Sequence, residues 1–394
     1  MRSSRVDVVT NEANRSVDKM EDRLLDTFLQ LVKIDSETRH EGAVVDYLCK
    51  IARTCGFEPF VDDAAKAVGG EAGNVYIELP ASGVDAPPII FVAHLDTVSP
   101  GKGIDPVVRS GKVVSGGDTV LGADCKAGTA VAIELMRLSA QGELRHGPLE
   151  LIFTVAEEEQ LQGARNLQWD RLASRHAFVL DGAGWVGEVI NSSPTQENLE
   201  FVFKGKAAHA GVEPEKGVNA IYGASWAVSL MRLGRIDRET TANIGIIQGG
   251  RAVNIVPDQV RVAGEVRSMD PQKLENQKKS MMRAAMEAEV AVGVGVEVKV
   301  ERAYDGFLID PTDPIILLAV EAGKSMGMKT EIKQSGGGSD ANVLNASGIK
   351  SVVLSMGVME AHTTNEYVEI EELHRLVRYC AAIASSAGRL RSTH

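Results

Sequence analysis

The sequence predicts an α/β fold: a mostly parallel sheet covered by helices, interrupted by a smaller ferredoxin-like domain of order β-α-β-β-α-β. Three observations carry that expectation. Short apolar runs alternate with helical stretches, the pattern of a sheet buried on both faces. Near residue 197 the pattern changes, and Leu199, Phe201 and Phe203 interleave with Glu200, Val202 and Lys204 as in a half-buried strand. After Asp310 the α/β rhythm resumes.

Taken in order, Met20, Leu24, Phe28, Leu31 and Val32 follow helical spacing. A second helix over 41–55 meets Gly56, which suits a left-handed C′ position. Extended runs at 74–79 and 88–93 lead to a glycine-rich loop and a helix over 127–140. Residues 149–155 and 177–180 read as continuous apolar strands. The inserted segment then gives its first strand, a helix over 218–233, strands at 243–248 and 260–268, a helix over 271–290 and a strand at 296–302. A helix over 314–326, a strand at 351–355 and a last helix over 370–390 complete the chain. The expected division is a discontinuous domain of residues 20–196 and 306–394, an inserted domain of 197–305, and a polar arm over 1–19.

Composition narrows the function classes. The 394 residues hold 42 Lys+Arg against 54 Asp+Glu, a formal charge of −12, with no basic block. Nucleic acid is therefore not an expected partner. No apolar run reaches the roughly 18 residues of a membrane span. The start, MRSSRVDVVTNEANRS, does not read as a secretory signal. Cys49, Cys55, Cys125 and Cys380 match no zinc-ribbon or disulfide spacing, so reduced thiols in a cytoplasmic protein are expected.

The acids and histidines fall at telling places. The strand over 88–93 ends in His94-Leu-Asp96, and residues two apart on a strand face the same way. A carboxylate beside a histidine fixes the ring for metal binding. Asp124 opens the helix over 127–140. Glu157, Glu158 and Glu159 follow the strand over 149–155, Asp181 follows 177–180, and Glu360, His362 and Glu366 come after 351–355. Singly, each has an ordinary explanation: a satisfied histidine, an N-cap, a solvated charge run. Together they place ionisable groups just past the carboxyl ends of several strands, the edge where open α/β sheets bind ligands. Carboxylates crowded there repel one another unless cations neutralise them. Two His and three acids can supply two divalent ions with one imidazole and one terminal carboxylate each, plus one shared carboxylate. Such mixed N/O ligation suits Zn, Co or Mn better than Mg or Ca. A spare glutamate beside a ligand would be a general base.

The runs HLDTV (94–98), GADCKAG (122–128), EEE with GA (157–164), LDG (180–182) and AHTTNE (361–366), in this order, resemble the dinuclear zinc exopeptidases of the peptidase T and carboxypeptidase G group. The resemblance spans the chain from about residue 20 and includes the insertion, which in that family is a lid or dimerisation domain. It implies His94 and His362 as ligands of different metals, Asp124 as the bridging carboxylate, and Glu158 and Asp181 as terminal carboxylates. It implies Glu157 as the general base and Asp96 as the acid behind His94; counting back from Gly163 sets this register, with Glu158/Glu159 as the alternative. In the inserted domain His209 matches a lid histidine that steadies the oxyanion in the partner subunit's site. Asn254 matches a substrate-contacting asparagine, and Arg267 an arginine for a substrate carboxylate. Gly338 and Ser339 fall in a glycine-rich loop resembling one that lines the pocket. Where the relatives most like peptidase T read Asp-Asp-Lys, this chain has Asp124-Cys125-Lys126, and the family's bridging Asp precedes a cis peptide. The implied activity is metal-dependent aminopeptidase cleavage of short peptides by a homodimer. The alternatives within the family are a carboxypeptidase and an N-acyl-amino-acid deacylase. A catalytically inert binding protein is expected to have lost a ligand or the base, and none is missing here.

Overall fold

The computed structural model describes residues 19–391; the expected arm over 1–19 lies outside them except for Lys19, which is already helical. The chain divides into two compact units. The first holds the described residues through Ser192, then Leu308–Gln334 and the chain from Ser339 onward. The second holds Ser193–Phe307 and Ser335–Gly338. The sequence reading placed that last stretch in the first domain. Within the second unit Ser193 Oγ donates to Gly337 O at 2.7 Å.

The sheet of the first unit is mixed. At its centre Leu149–Thr154, Ile89–His94, His176–Ala183 and Lys350–Met359 run parallel in that spatial order. The first two are buried at every position, as expected of strands covered on both faces. The flanks are antiparallel: Phe60–Val61 and Val75–Leu79 on one side, Tyr367–Glu369, Lys112–Ser115 and Pro106–Arg109 on the other. The expectation of a mostly parallel sheet thus holds for the centre and is corrected at the margins. Short, half-exposed strands such as Pro106–Arg109 lack the continuous apolar run that marks the central ones. The helix Ala123–Ala140 lies close over this centre. A Cβ at Gly128 would come within 2.6 Å of Leu180 O, so only glycine lets the helix approach the strand that carries Asp181. Among the described residues no helix is long and apolar enough to cross a membrane.

The second unit is a five-stranded antiparallel sheet of order Gly234–Arg235, Thr240–Gly249, Gln259–Ser268, Thr195–Lys204, Gly295–Tyr304. Without the short first strand, the order is that of a ferredoxin-like fold. Helices Ala220–Leu230 and Pro271–Val292 share a core with Leu199, Phe201, Phe203 and Val262. The second helix begins where Asp270 accepts from the Gln272 and Lys273 N–H groups, with proline at its first position.

Candidate metal centre

Because the four central strands run parallel, their carboxyl ends share one edge. His94 ends its strand, Asp181 lies near the end of its own, and Glu157 and His362 follow theirs. Asp124 enters from the first turn of Ala123–Ala140, where its own and Cys125's backbone angles are non-helical and the peptide between them is cis.

The side chains meet in two overlapping groups. His94 Nε2 lies 3.2 Å from Asp124 Oδ1 and 3.4 Å from Asp181 Oδ1. His362 Nε2 lies 3.3 Å from Asp124 Oδ2 and 2.9 Å from Glu158 Oε1. Each group thus takes one imidazole and one terminal carboxylate, and Asp124 gives one oxygen to each. Glu157 joins His94 and Glu158 and is buried. Glu159 turns away and pairs with Arg39 at 2.6 Å.

These spacings fit two divalent ions. In a tetrahedron with bonds of about 2.0–2.1 Å to N and O, neighbouring donors stand about 3.3–3.4 Å apart. Glu158 Oε1 is buried and makes no hydrogen bond despite its closeness to His362, as expected of two donors aimed at a common centre. Electrostatics agree. Burial pushes the Asp181 carboxyl up to about 8 and holds that of Glu157 well above the usual carboxylate range. The carboxylates of Asp124 and Glu158 beside it raise His362 to about 10. Without metal the cluster holds on to protons that a cation would displace. The cluster is a site for a dinuclear divalent-metal centre.

The surrounding groups hold these donors in place. His94 Nδ1 lies 3.0 Å from the Asp96 carbonyl oxygen and 3.4 Å from its Oδ1. The Asp96 carboxylate accepts instead from the Glu157 and Glu158 N–H groups, at 2.9 and 3.2 Å, and from Thr38 Oγ1 at 2.9 Å. So Asp96 backs the ring with its main chain and the two glutamates with its side chain. Glu366 is a group for which the sequence reading found no role. Its carboxylate accepts from Gly122 N at 2.7 Å and Asp124 N at 2.9 Å, tying the His362 segment to the Asp124 segment. Asp340 was also missed: it is buried, its Oδ2 accepts from Thr154 Oγ1 at 2.6 Å, and burial pushes it up to about 6. The only local signal for it was its place after the glycine-rich loop. The Cys125 thiol is buried, donates to Leu180 O and lies 3.8 Å from Met356 Sδ.

The substrate-binding candidates fall in both units. Ser339, in the first, caps the short helix Asp340–Ala346: its hydroxyl accepts from Ala341 N and its N–H donates to Asn342 Oδ1. In the second unit exposed His209 and Asn254 occupy adjoining segments, with Ala210 N donating to Asn254 O at 3.0 Å. Arg267 is held by Glu265 at 2.9 and 3.0 Å and reaches Tyr304 OH at 3.3 Å; Gly338 packs against the Tyr304 ring.

Residues 90–386 match the profile of Peptidase family M20/M25/M40. The chain is 42% identical over 369 residues to the "Uncharacterized protein YqjE" of Bacillus subtilis (strain 168), covering 94% of this chain and 99% of that protein. The structure of aminopeptidase PepT from Bacillus cereus ATCC 10987 matches with a TM-score of 0.83 at 41% identity, covering 93% of this chain and 98% of that one. That of a tripeptidase from Staphylococcus aureus subsp. aureus Mu50 matches with a TM-score of 0.88 at 36% identity, covering 94% and 99%. With this likeness over nearly its whole length and two donor groups sharing one carboxylate, the chain belongs to peptidase family M20/M25/M40.

Proposed function

We infer that the protein is a metal-dependent exopeptidase of the peptidase T type, a zinc aminopeptidase acting on short peptides. One observation carries this reading: Asp124 joins two His/carboxylate groups, and a further buried glutamate, Glu157, stands beside them. We assign His94 and Asp181 to one ion, His362 and Glu158 to the other, and Asp124 to both. The chemistry supplied by two bound divalent ions is polarisation of the scissile carbonyl and acidification of a water. Glu157 accepts the attacking water's proton on its carboxylate and delivers it to the leaving amine. Its burial raises its proton affinity, which suits it to that shuttle. Asp96 keeps the Glu157 backbone and the His94 ring in register. By the family resemblance Asn254, Gly338 and Ser339 are candidate substrate contacts, and Arg267 is the candidate group for the carboxylate of the peptide's C-terminus.

His209 steadies the oxyanion from a second copy of the chain. The second unit offers a surface for that copy. Ile221, Tyr222, Trp226 and Leu230 are exposed on one helix, and Ile246 and Ile247 on Thr240–Gly249. Among the described residues that strand pairs on one side only from residue 243 onward. An open edge beside an apolar stripe favours two-fold pairing with an identical surface. We place this homodimer in the cytoplasm, which fits its four free cysteines.

The test is a substrate panel with zinc-loaded protein: tripeptides with free N-termini, the same peptides N-blocked, and N-acetyl amino acids. Cleavage of the free tripeptides alone is expected. Cleavage of only the blocked substrates would overturn the aminopeptidase assignment. Light scattering on Trp226→Glu tests the dimer: a monomer with little activity is expected, and a fully active monomer would remove the role of His209.

A further inference from the structure

The segment Val155–Glu158 carries both glutamates of the site, yet it belongs to neither a helix nor a strand. Its N–H groups are accepted by side chains, one after another. Val155 N donates to Asn74 Oδ1 at 3.2 Å, and Ala156 N to Glu41 Oε1 at 3.0 Å. Glu157 N and Glu158 N donate to the two oxygens of Asp96. The acceptors come from three distant parts of the chain, and all are buried. Asn74 is itself oriented: its Nδ2 donates to Asp62 Oδ2 at 2.9 Å and to Gly163 O at 3.0 Å. Gly163 has no room for a side chain, because a Cβ there would come within 2.1 Å of Val155 O and 2.7 Å of Asn74 Oδ1.

Two features show that this arrangement is held against resistance. Ala156 has φ of 47°, the left-handed region that residues with a Cβ avoid. Glu41 is fully buried, and its Oε2 makes no hydrogen bond among the described residues. A buried carboxylate with a bare oxygen is costly. Its other oxygen serves only backbone donors, Ala156 N and Arg39 N at 2.9 Å.

We propose that Glu41 and Asn74 are positioning residues that, with Asp96, form a side-chain cradle fixing the main chain of Val155–Glu158 so that Glu157 is aimed for proton transfer. Neither Glu41 nor Asn74 belongs to the donor groups, and each acts through the backbone it holds. Displacing a reacting group by about 1 Å costs on the order of 100-fold in rate, so the cradle acts on turnover rather than on substrate affinity. The proposal rests on the reading of Glu157 as the base.

The test compares two replacements of Glu41 in the full-length, zinc-loaded enzyme. Glu41→Gln keeps an acceptor for Ala156 N and removes the charge; Glu41→Met keeps the length and removes the acceptor. Glu41→Gln is expected to hold kcat within about threefold, while Glu41→Met loses at least about tenfold in kcat with KM nearly unchanged and zinc content retained. Parental kcat in Glu41→Met overturns the proposal, as does an equal loss in Glu41→Gln. Should Glu41→Met not fold, hydrogen exchange on the unsubstituted enzyme decides: slow exchange of the 155–158 amides is expected, and the fast exchange of a free surface loop contradicts it. Glu157→Gln separates the two readings. If it keeps turnover the base assignment fails, whereas the exchange result stands on its own.

Discussion

At the carboxyl edge of the first unit, His94, Asp124, Glu157 and Asp181 are packed together with little exposure, and Asp96, Asp340 and Glu366 lie behind them. The second unit is built in the opposite way. Its interior is Leu199, Phe201, Phe203, Val262 and Met281, and pairs such as Lys204 with Glu297 and Arg251 with Asp258 lie at its surface. The contrast teaches where stability comes from. The second unit rests chiefly on burying apolar area, and its buried Glu197 is neutralised by Lys278 and Arg302. The first buries like charges, which protons or a cation must neutralise, so its metal-binding and folding free energies are linked.

The sharpest way to break this contrast is to remove the carboxylate common to both donor groups. Asp124→Ala is expected to abolish turnover, by at least about 10⁴-fold, and to bring zinc below about 0.2 per chain. Retained zinc near two per chain would show that Asp124 is not shared. Glu157→Gln comes next. Peptide turnover is expected to fall about 10²–10⁴-fold while elemental analysis still finds both metals, separating the proton shuttle from the ligands. Glu366→Gln sets an amide N–H₂ against the Gly122 or Asp124 N–H. Zinc affinity in a competition titration is expected to weaken about 10–100-fold, the range for groups that orient a ligand. In the second unit, Met281→Ala opens a hole in an apolar core and is expected to cost about 2–5 kcal/mol by denaturant unfolding, with zinc content unchanged.

The smallest effect is on pH dependence. In chelated protein Asp181 is raised from 3.8 to about 8, so the folded state keeps a proton that the unfolded chain releases. His362 is raised from 6.5 to about 10, and the stability it adds is complete below 6.5 and lost as pH climbs through 10. Both make the metal-free first unit less stable as pH rises from 6 to 9, whereas zinc binding strengthens over the same range as ligands deprotonate. The gap in Tm between zinc-loaded and chelated protein is expected to widen with pH. A constant gap would uncouple these groups from the metal.

The donors were legible because each stands at a position that local pattern marks. His94 and Asp96 end an apolar strand, the glutamates follow another, and Asp124 precedes a helix. The ferredoxin-like order was legible because its strands alternate and its helices are long. Glu366 stands in the AHTTNE run and Asp340 after the glycine-rich loop, but what they bind, like the partners of Glu41 and Asn74, left no such trace. The side-chain bonds by which they hold the site's segments, to backbone or to a hydroxyl, span 81 to 244 residues, and no period in the sequence encodes such a partner. The marginal antiparallel strands other than Val75–Leu79 escaped because two to four partly exposed residues carry too little pattern.

The most direct test of the central claim is anomalous diffraction at the zinc edge from crystals of the zinc-loaded protein. Two peaks are expected, one among His94, Asp124 and Asp181 and the other among His362, Asp124 and Glu158, with Asp124 between them. A single peak, or peaks that do not share Asp124, would contradict the account.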